Sequence, residues 1–175
     1  RDLVRSRGLG DVYKRQDESY PEGLSPEDTV RYIAKKKCDA AAALCAPDDL
    51  IITADTMVFL GNDRLGKPRD EEDALRMLRA LSGRAHTVCT GVSVRRGAQE
   101  ERFAVSTRVF FRPMTDDEIR AYIKTGEPMD KAGAYGVQSR GALFVERIDG
   151  DFFNVMGLPV EQLGLVLARF GVKLL

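Results

Sequence analysis

Hydrophobic and polar positions change their period several times along the chain, and each change predicts a helix or a strand. Apolar residues at helical spacing predict a first helix from Ser25 to about Cys45. Ser25 is a typical capping residue, and the proline that follows it is favoured at the first position of a helix. Residues 50–60 are almost all apolar, which predicts a strand buried on both faces. A second helical period lies between Asp70, a capping residue, and Gly83, which favours the end of a helix.

The second half of the chain continues this alternation. Residues 86–95 and 102–112 predict the two strands of a long hairpin that turns at Gly97. The remaining predicted elements are a helix opened by a capping box at residues 115–118, strands at 142–148 and 152–155, and a last helix from Pro159 to Gly171. Helices that alternate with strands predict an α/β domain with a mixed β-sheet flanked by helices.

Composition narrows the functional classes. The chain has 175 residues, 43% hydrophobic and 31% charged, which is typical of one soluble globular domain. Lys plus Arg equals Asp plus Glu at 27 each, and this balance argues against a nucleic-acid-binding protein, which needs an excess of cations. A small phosphate ligand needs only a few placed cations and stays compatible. No apolar stretch reaches the length of a membrane span.

Cysteine and histidine usage indicates the compartment and the kind of metal. Three cysteines without paired spacing argue against a disulfide framework and favour a reducing cytoplasm. His86 is the single histidine, so a zinc site built from histidines is excluded, and any metal must be a hard cation with oxygen ligands. We interpret His86 itself as a hydrogen-bonded structural residue.

Residues 1–16 differ in character from the rest of the chain. They are rich in arginine and show neither a capping residue nor a clear period. We interpret them as a non-native or disordered segment, such as a tag, a translated adapter or a gene-prediction error. The alternative is a native basic arm. The predicted domain then comprises residues 17–175.

Asp55 is the residue that packing explains least. It interrupts the apolar run of residues 50–60, and a lone carboxylate buried there is costly unless it is paired or bound to metal. One interpretation is a metal ligand or general base at the carboxyl end of a strand, where ligands of open α/β sheets gather. The alternative is an aspartate that accepts from backbone N–H groups at a strand end.

Two lysines are candidates for contacts with phosphate. Lys37 follows Ile33 by one helical turn and falls on the apolar face of the first helix. It either directs its ammonium at a phosphate or extends along the surface to reach water. Lys67 lies in the segment 65–68, where Gly66 permits close approach of a ligand and the following proline stiffens the loop. That segment alone is a weak signal.

Residues 130–138 form a third candidate segment. Asp130 and Lys131 precede a run of small residues, which fits neither an ordinary helix face nor a strand. Small side chains permit close backbone approach to a phosphate or a base, and Gln138 offers a donor and an acceptor together, which suits the edge of a base or a sugar. The alternative is a tight loop whose residues are small for steric reasons.

Six segments in register resemble the Maf family of nucleoside-triphosphate pyrophosphatases. They are residues 54–56, 65–68, 81–86, 130–138, 141–148 and 154–159. The resemblance covers about residues 17–170. It implies a fold of the Maf and inosine-triphosphatase type. It also implies a cytoplasmic, usually homodimeric enzyme that cleaves nucleoside triphosphates between the α and β phosphates and uses a divalent cation, Mg²⁺ or Mn²⁺.

The resemblance assigns roles to individual residues. Asp55 matches the proton-accepting aspartate of the family, and Glu18 matches an acidic residue that would share the metal with Asp55. Lys37 and Lys67 match two active-site lysines. We therefore expect one cleft to hold Asp55, Lys67 and Gln138.

Two positions that separate branches of the family bear on the substrate. Thr56 together with Gln138 resembles the branch that acts on dTTP and UTP, whereas the branch acting on methylated GTP carries acidic residues there. Asp130 and Lys131 are expected to bind substrate beside Gln138. A related pyrophosphatase for inosine nucleotides is the less favoured interpretation.

The chain departs from the family pattern at its beginning. Maf proteins begin with a strand and a loop of Ser, Pro and consecutive Arg that binds phosphate, and nothing in residues 1–16 fits that pattern. We therefore expect an N-terminally truncated copy in which the first strand and the phosphate loop are missing. A non-catalytic regulator of septum formation is the alternative function.

Overall fold

The computed structural model describes residues 19–175. Within these residues one sheet contains five strands, β1 (Ile51–Leu60), β2 (Asp63–Leu65), β3 (Ala85–Arg96), β4 (Gln99–Phe111) and β5 (Val145–Asp149). Their order across the sheet is β2-β1-β3-β4-β5. The described helices are α1 (Pro26–Ala42), α2 (Glu71–Leu81), α3 (Asp116–Ile123), α4 (Phe152–Met156) and α5 (Val160–Arg169).

The α/β class, with helices flanking a sheet, is confirmed. Within the described residues every strand pair is antiparallel, whereas a mixed sheet with both parallel and antiparallel pairs was predicted. Residues 1–16, and with them the predicted loss of a first strand and phosphate loop, lie outside the described residues. In the part of the chain that is described, no helix has the length and apolar character needed to cross a membrane.

Two predicted strands are wrong in whole or in part. Residues 152–155 form helix α4, because the Asp151 side chain accepts from the Phe153 N–H at 2.7 Å and caps it, and Gly157 ends it with a φ of 111°. Residues 140–144 form a 3₁₀ turn, so the predicted strand 142–148 starts only at Val145. The turn forms because Glu127 accepts the N–H groups of residues 140 and 141.

The two faces of the sheet have different cover. Helix α1 packs on one face, where Val30 and Ile33 meet Met57 and Phe59 of β1. Helices α2, α3 and α5 pack on the other face, against the even-numbered residues of β1 and β3 such as Val58 and Val88 in the largest cluster and Val92 and Val94 in another. Ile52 is 40% exposed, so the prediction that β1 is buried on both faces holds only for Met57–Leu60.

Candidate active site

Asp55 lies in the middle of β1 and faces α1. It is directly opposite Gly91 of β3, four residues from either end of the pairing with that strand, which runs from Ile51 to Phe59. The predicted position at the carboxyl end of a strand is therefore wrong, as is the alternative that Asp55 accepts from N–H groups at a strand end. An antiparallel sheet also has no edge at which all carboxyl ends meet.

Lys37 and Asp55 form a partly buried ion pair. Lys37 Nζ lies 2.5 Å from Asp55 Oδ1, and the side chains are 18% and 10% exposed. The alternative in which the lysine extends along the surface into water is wrong, because its ammonium is directed at the sheet. The pairing offsets part of the cost of removing a carboxylate from water. It places a proton acceptor and a cation within contact distance of each other.

A cavity of about 280 Å³ lies on the opposite face of β1. It is lined by four of the predicted site residues, Thr56, Lys67, Lys131 and Gln138. Its other lining residues come from β1, β3, the 130s loop and the end of α4: Val58, Val88, Ala132, Tyr135, Gly136, Val137, Val155, Met156 and Gly157. The volume is at the lower end for small-molecule sites, which suits a base and part of a sugar rather than a whole nucleotide.

The predicted residues are therefore divided between two faces of the sheet. Successive residues of a strand point to opposite faces, so Thr56 lines the cavity while Asp55 points towards α1. The expectation that one cleft holds Asp55, Lys67 and Gln138 is correct for Lys67 and Gln138 only, since Asp55 does not line the cavity. Asp130 does not line it either, but its carboxylate lies 2.9 Å from Lys131 Nζ.

The loop that carries Gln138 is held by a carboxylate that the sequence analysis missed. Glu127 accepts from Tyr122 Oη at 2.7 Å and from Ser139 Oγ at 2.6 Å. Tyr122 Oη in turn accepts from the Gly136 N–H at 3.2 Å. Burial opposes ionisation of Glu127, but the hydrogen bonds from Ser139, Tyr122 and two backbone N–H groups outweigh it and lower the pKa of that carboxyl. The available signal was the Glu127-Pro128 pair, which precedes the small-residue run by a few residues.

Steric packing also explains part of the small-residue run. A Cβ on Gly133 would lie 3.0 Å from a methyl group of Val58, and the φ of Gly133 is 71°. Ala134 takes a φ of 61°, which is uncommon for a residue with a side chain. The steric alternative is thus correct for Gly133, although neighbouring residues of the same loop line the cavity.

His86 supports the wall of the cavity through Tyr135. Its Nε2 lies 2.8 Å from Tyr135 Oη, which confirms the interpretation of a hydrogen-bonded structural histidine. Burial lowers the pKa of His86 to about 4 from its ordinary 6.5. The ring is therefore neutral at neutral pH and can keep this hydrogen bond without a buried charge.

The pKa of His86 predicts how stability depends on pH. The unfolded chain takes up a proton below pH 6.5 and the folded chain only near pH 4. Stability is therefore full above pH 6.5 and falls, by about 3 kcal/mol at most, as the pH drops from 6.5 towards 4. His86→Gln should flatten that part of the stability curve, measured by urea unfolding at several pH values. Parallel curves for the two proteins between pH 6.5 and 4 would contradict the prediction.

The predicted metal ligands are Asp55 and Glu18, and Glu18 lies outside the described residues. Across residues 19–175, no group of three or more His, Cys, Asp or Glu side chains is placed to hold a metal ion. Magnesium in phosphate-transfer sites uses one or two protein carboxylates, and substrate phosphates and water supply the other oxygens. Asp55 fits an ion that arrives with a nucleotide, and it does not by itself form a dedicated cage.

Comparison with known proteins gives consistent matches. The family model described as Maf-like protein matches residues 6–170. The dTTP/UTP pyrophosphatase of Bacillus velezensis is 48% identical over 162 residues, which cover 93% of this chain and 85% of that protein. The dTTP/UTP pyrophosphatase of Pelotomaculum thermopropionicum is 44% identical over 179 residues, which cover 100% of this chain and 93% of that protein. The match to the family model begins inside residues 1–16, whose foreign origin stays a prediction.

Proposed function

The chain belongs to the Maf family, and from this premise we propose that it hydrolyses nucleoside triphosphates, dTTP and UTP above all, to the monophosphate and pyrophosphate. The observation that carries the proposal is the cavity that gathers Thr56, Lys67, Lys131 and Gln138 beside the strand bearing Asp55. The names of the relatives, dTTP/UTP pyrophosphatase, agree with it. Those names describe an enzyme, so the alternative of a non-catalytic septum regulator is not favoured.

Each residue of the site has a role in this proposal. Asp55 accepts a proton from the water that attacks the α phosphorus. Lys37 orients the Asp55 carboxylate through its ion pair, while Lys67, which lines the cavity, offsets negative charge on the departing pyrophosphate. Lys131 contacts phosphate or sugar at the mouth of the cavity, while Asp130 holds its ammonium in place.

A divalent cation, Mg²⁺ or Mn²⁺, belongs to the proposal as a cofactor. Asp55 and Glu18 would hold it, and it would neutralise charge on the phosphates of the bound nucleotide. The charge balance of the described site supports this, since Lys37 is already paired with Asp55 and a triphosphate carries several negative charges.

Two further proposals concern the state of the enzyme in the cell. We propose a cytoplasmic location, which the absence of disulfide bonds among Cys38, Cys45 and Cys89 supports. We also propose a homodimer, supported by large apolar side chains that are exposed on α4 and at the start of α5. They include Phe153 at 53%, Met156 at 46% and Val160 at 48% exposure. Light scattering of the purified chain tests the dimer.

The experiment that tests the function measures which bond is cleaved. The purified chain is incubated with dTTP or UTP and Mn²⁺, and the monophosphate, pyrophosphate and orthophosphate are quantified separately. We expect monophosphate and pyrophosphate in equal amounts. A second protein, in which residues 1–16 are replaced by the N-terminus of a dTTP/UTP pyrophosphatase relative, tests the predicted loss of the phosphate loop. A nucleoside diphosphate and orthophosphate as products, or no turnover by either protein, would reject the proposal.

The base preference is expected to depend on Gln138. Uracil and thymine present a ring N–H between two carbonyl groups, and a glutamine amide can donate to one of these carbonyls. A carboxylate cannot donate, and it accepts from the exocyclic amine of cytosine instead. We expect the enzyme to prefer UTP over CTP by at least about tenfold in kcat/KM, and Gln138→Glu to erode that preference.

The control for this prediction introduces the same change of charge away from the cavity. Gln99 is exposed at the start of β4, so Gln99→Glu should leave the ratio of UTP to CTP unchanged. The measurement is pyrophosphate release across a nucleotide set. Equal kcat/KM for UTP and CTP in the unmodified enzyme, or a preference for GTP, would show that the assignment to this branch is wrong.

A further inference from the structure

A chain of hydrogen bonds leads from the backbone of α4 through β3 into the cavity. Thr90 Oγ1 donates to the carbonyl oxygen of Asn154 at 3.0 Å. Thr90 Oγ1 also lies 2.9 Å from Thr56 Oγ1, and Thr56 lines the cavity. Thr90 and Asn154 are fully buried, so water does not compete for either bond.

The direction of these hydrogen bonds follows from the chemistry of the Asn154 carbonyl group. A carbonyl oxygen can only accept, and a threonine hydroxyl has one proton. Thr90 donates its only hydroxyl proton to the Asn154 carbonyl. In the contact between the two hydroxyl groups, Thr56 must therefore donate and Thr90 must accept. The proton of Thr56 then points into the sheet, and only lone pairs of Thr56 Oγ1 are left for a ligand in the cavity.

We infer that Thr90 is a positioning residue that fixes Thr56 as a hydrogen-bond acceptor and thereby selects bases that present a ring N–H. This inference rests on the proposed function. Uracil and thymine carry an N–H at the ring position where cytosine has an acceptor nitrogen. With Thr56 as the acceptor for that N–H, the amide of Gln138 donates to the carbonyl beside it. Cytosine would place two acceptors against each other at Thr56.

The groups around Thr90 keep the arrangement rigid. The Asn154 side chain donates to the carbonyl oxygen of Val88 at 3.1 Å and to Thr107 Oγ1 at 2.9 Å, which anchors its residue to β3 and β4. Gly157 closes over Thr56, because a Cβ on Gly157 would lie 3.4 Å from Thr56 Oγ1. The Asn154 carbonyl also accepts from the Gly157 N–H at 3.0 Å, so it keeps a partner when Thr90 loses its hydroxyl.

The experiment compares kcat/KM for UTP and CTP in a set of variants. Thr90→Val keeps the shape and removes the hydroxyl, so Thr56 becomes free to donate as well as accept. We expect the ratio of UTP to CTP to fall by about tenfold, the effect of one hydrogen bond that can adapt to either base. Thr90→Ser keeps a hydroxyl and should retain the ratio of the unmodified enzyme. Thr29→Val removes a buried hydroxyl of α1, on the other face of the sheet, and it should leave the ratio unchanged.

A double variant separates a positioning role from a structural one. Because Thr90 acts through Thr56, Thr90→Val should have no further effect on the ratio in a Thr56→Val background. An unchanged ratio in Thr90→Val, or the same loss in both backgrounds, would overturn the inference. These outcomes differ from failure of the proposed function, which would appear as absent pyrophosphate release or absent UTP preference in the unmodified enzyme.

Discussion

Replacing Asp55 with asparagine is expected to lower turnover of dTTP by about 10²-fold or more, on the scale of a lost general base. The amide keeps the shape of the side chain but cannot take a proton from water. The fold should persist, because Lys37 can donate to the amide oxygen at the position of Oδ1. The measurement is pyrophosphate release with Mn²⁺, in whichever form of the chain shows turnover before substitution.

A matched control separates this effect from the loss of an ion pair. Asp39 also pairs with a lysine of α1, Lys35, but its side chain is 47% exposed and lies away from the cavity. Asp39→Asn should leave turnover unchanged. Circular dichroism and thermal unfolding of the Asp55 variant establish that the protein is folded. Full turnover by folded Asp55→Asn would reject Asp55 as the proton acceptor.

Replacing Gly91 with alanine is expected to lower the free energy of unfolding by about 3 kcal/mol, at the upper end of over-packing effects. A Cβ at residue 91 would lie 2.3 Å from the carbonyl carbon and oxygen of Val30 and 2.6 Å from the nitrogen of Arg31. These are backbone atoms of α1, so no side chain can rotate away and the whole helix must shift. Lys37 is on the same helix, and Gly91 is directly opposite Asp55. Activity should therefore fall together with stability.

Gly164 supplies the comparison for this variant. It lies within α5, and the nearest atom to an added Cβ is a methyl group of Leu174 at 3.5 Å, an ordinary contact. Gly164→Ala should be neutral or stabilising by about 0.5–1 kcal/mol, because glycine is a poor helix former. Urea unfolding measures both variants. Similar unfolding midpoints for them would show that α1 does not pack on Gly91 as closely as the structure places it.

The sequence alone determined the elements whose signals are local. The side chains of Ser25, Asp70 and Thr115 each accept from a backbone N–H at the start of a helix. The sequence predicted these caps, because each residue directly precedes a segment with acidic residues or with apolar residues at helical spacing. Such capping involves residues three apart, so a short segment contains all the information it needs. The segments containing Lys67, Lys131 and Gln138 were also identifiable, because small residues beside charges do not fit ordinary helices or strands.

Helix α4 and the turn before β5 were not predictable in this way. Five residues are too few to show a helical period, and the sequence there is equally compatible with a short strand. The turn at residues 140–144 depends on Glu127, which precedes it by more than ten residues in the chain and supplies the acceptor for its N–H groups. Contacts between distant segments decide such elements, and local propensity is too weak to oppose them.

Tertiary structure alone decided how the site residues are shared between the two faces of the sheet. Asp55 and Thr56 are adjacent in a strand, so their side chains point to opposite faces of the sheet. Only the packing of α1 on one face decides that Lys37 meets Asp55 and not Thr56. The direction of the Thr56 hydroxyl likewise depends on the Asn154 carbonyl, 64 residues away from Thr90. A hydroxyl proton has no fixed position in the sequence, and its direction is set by whichever buried acceptor the fold brings within reach.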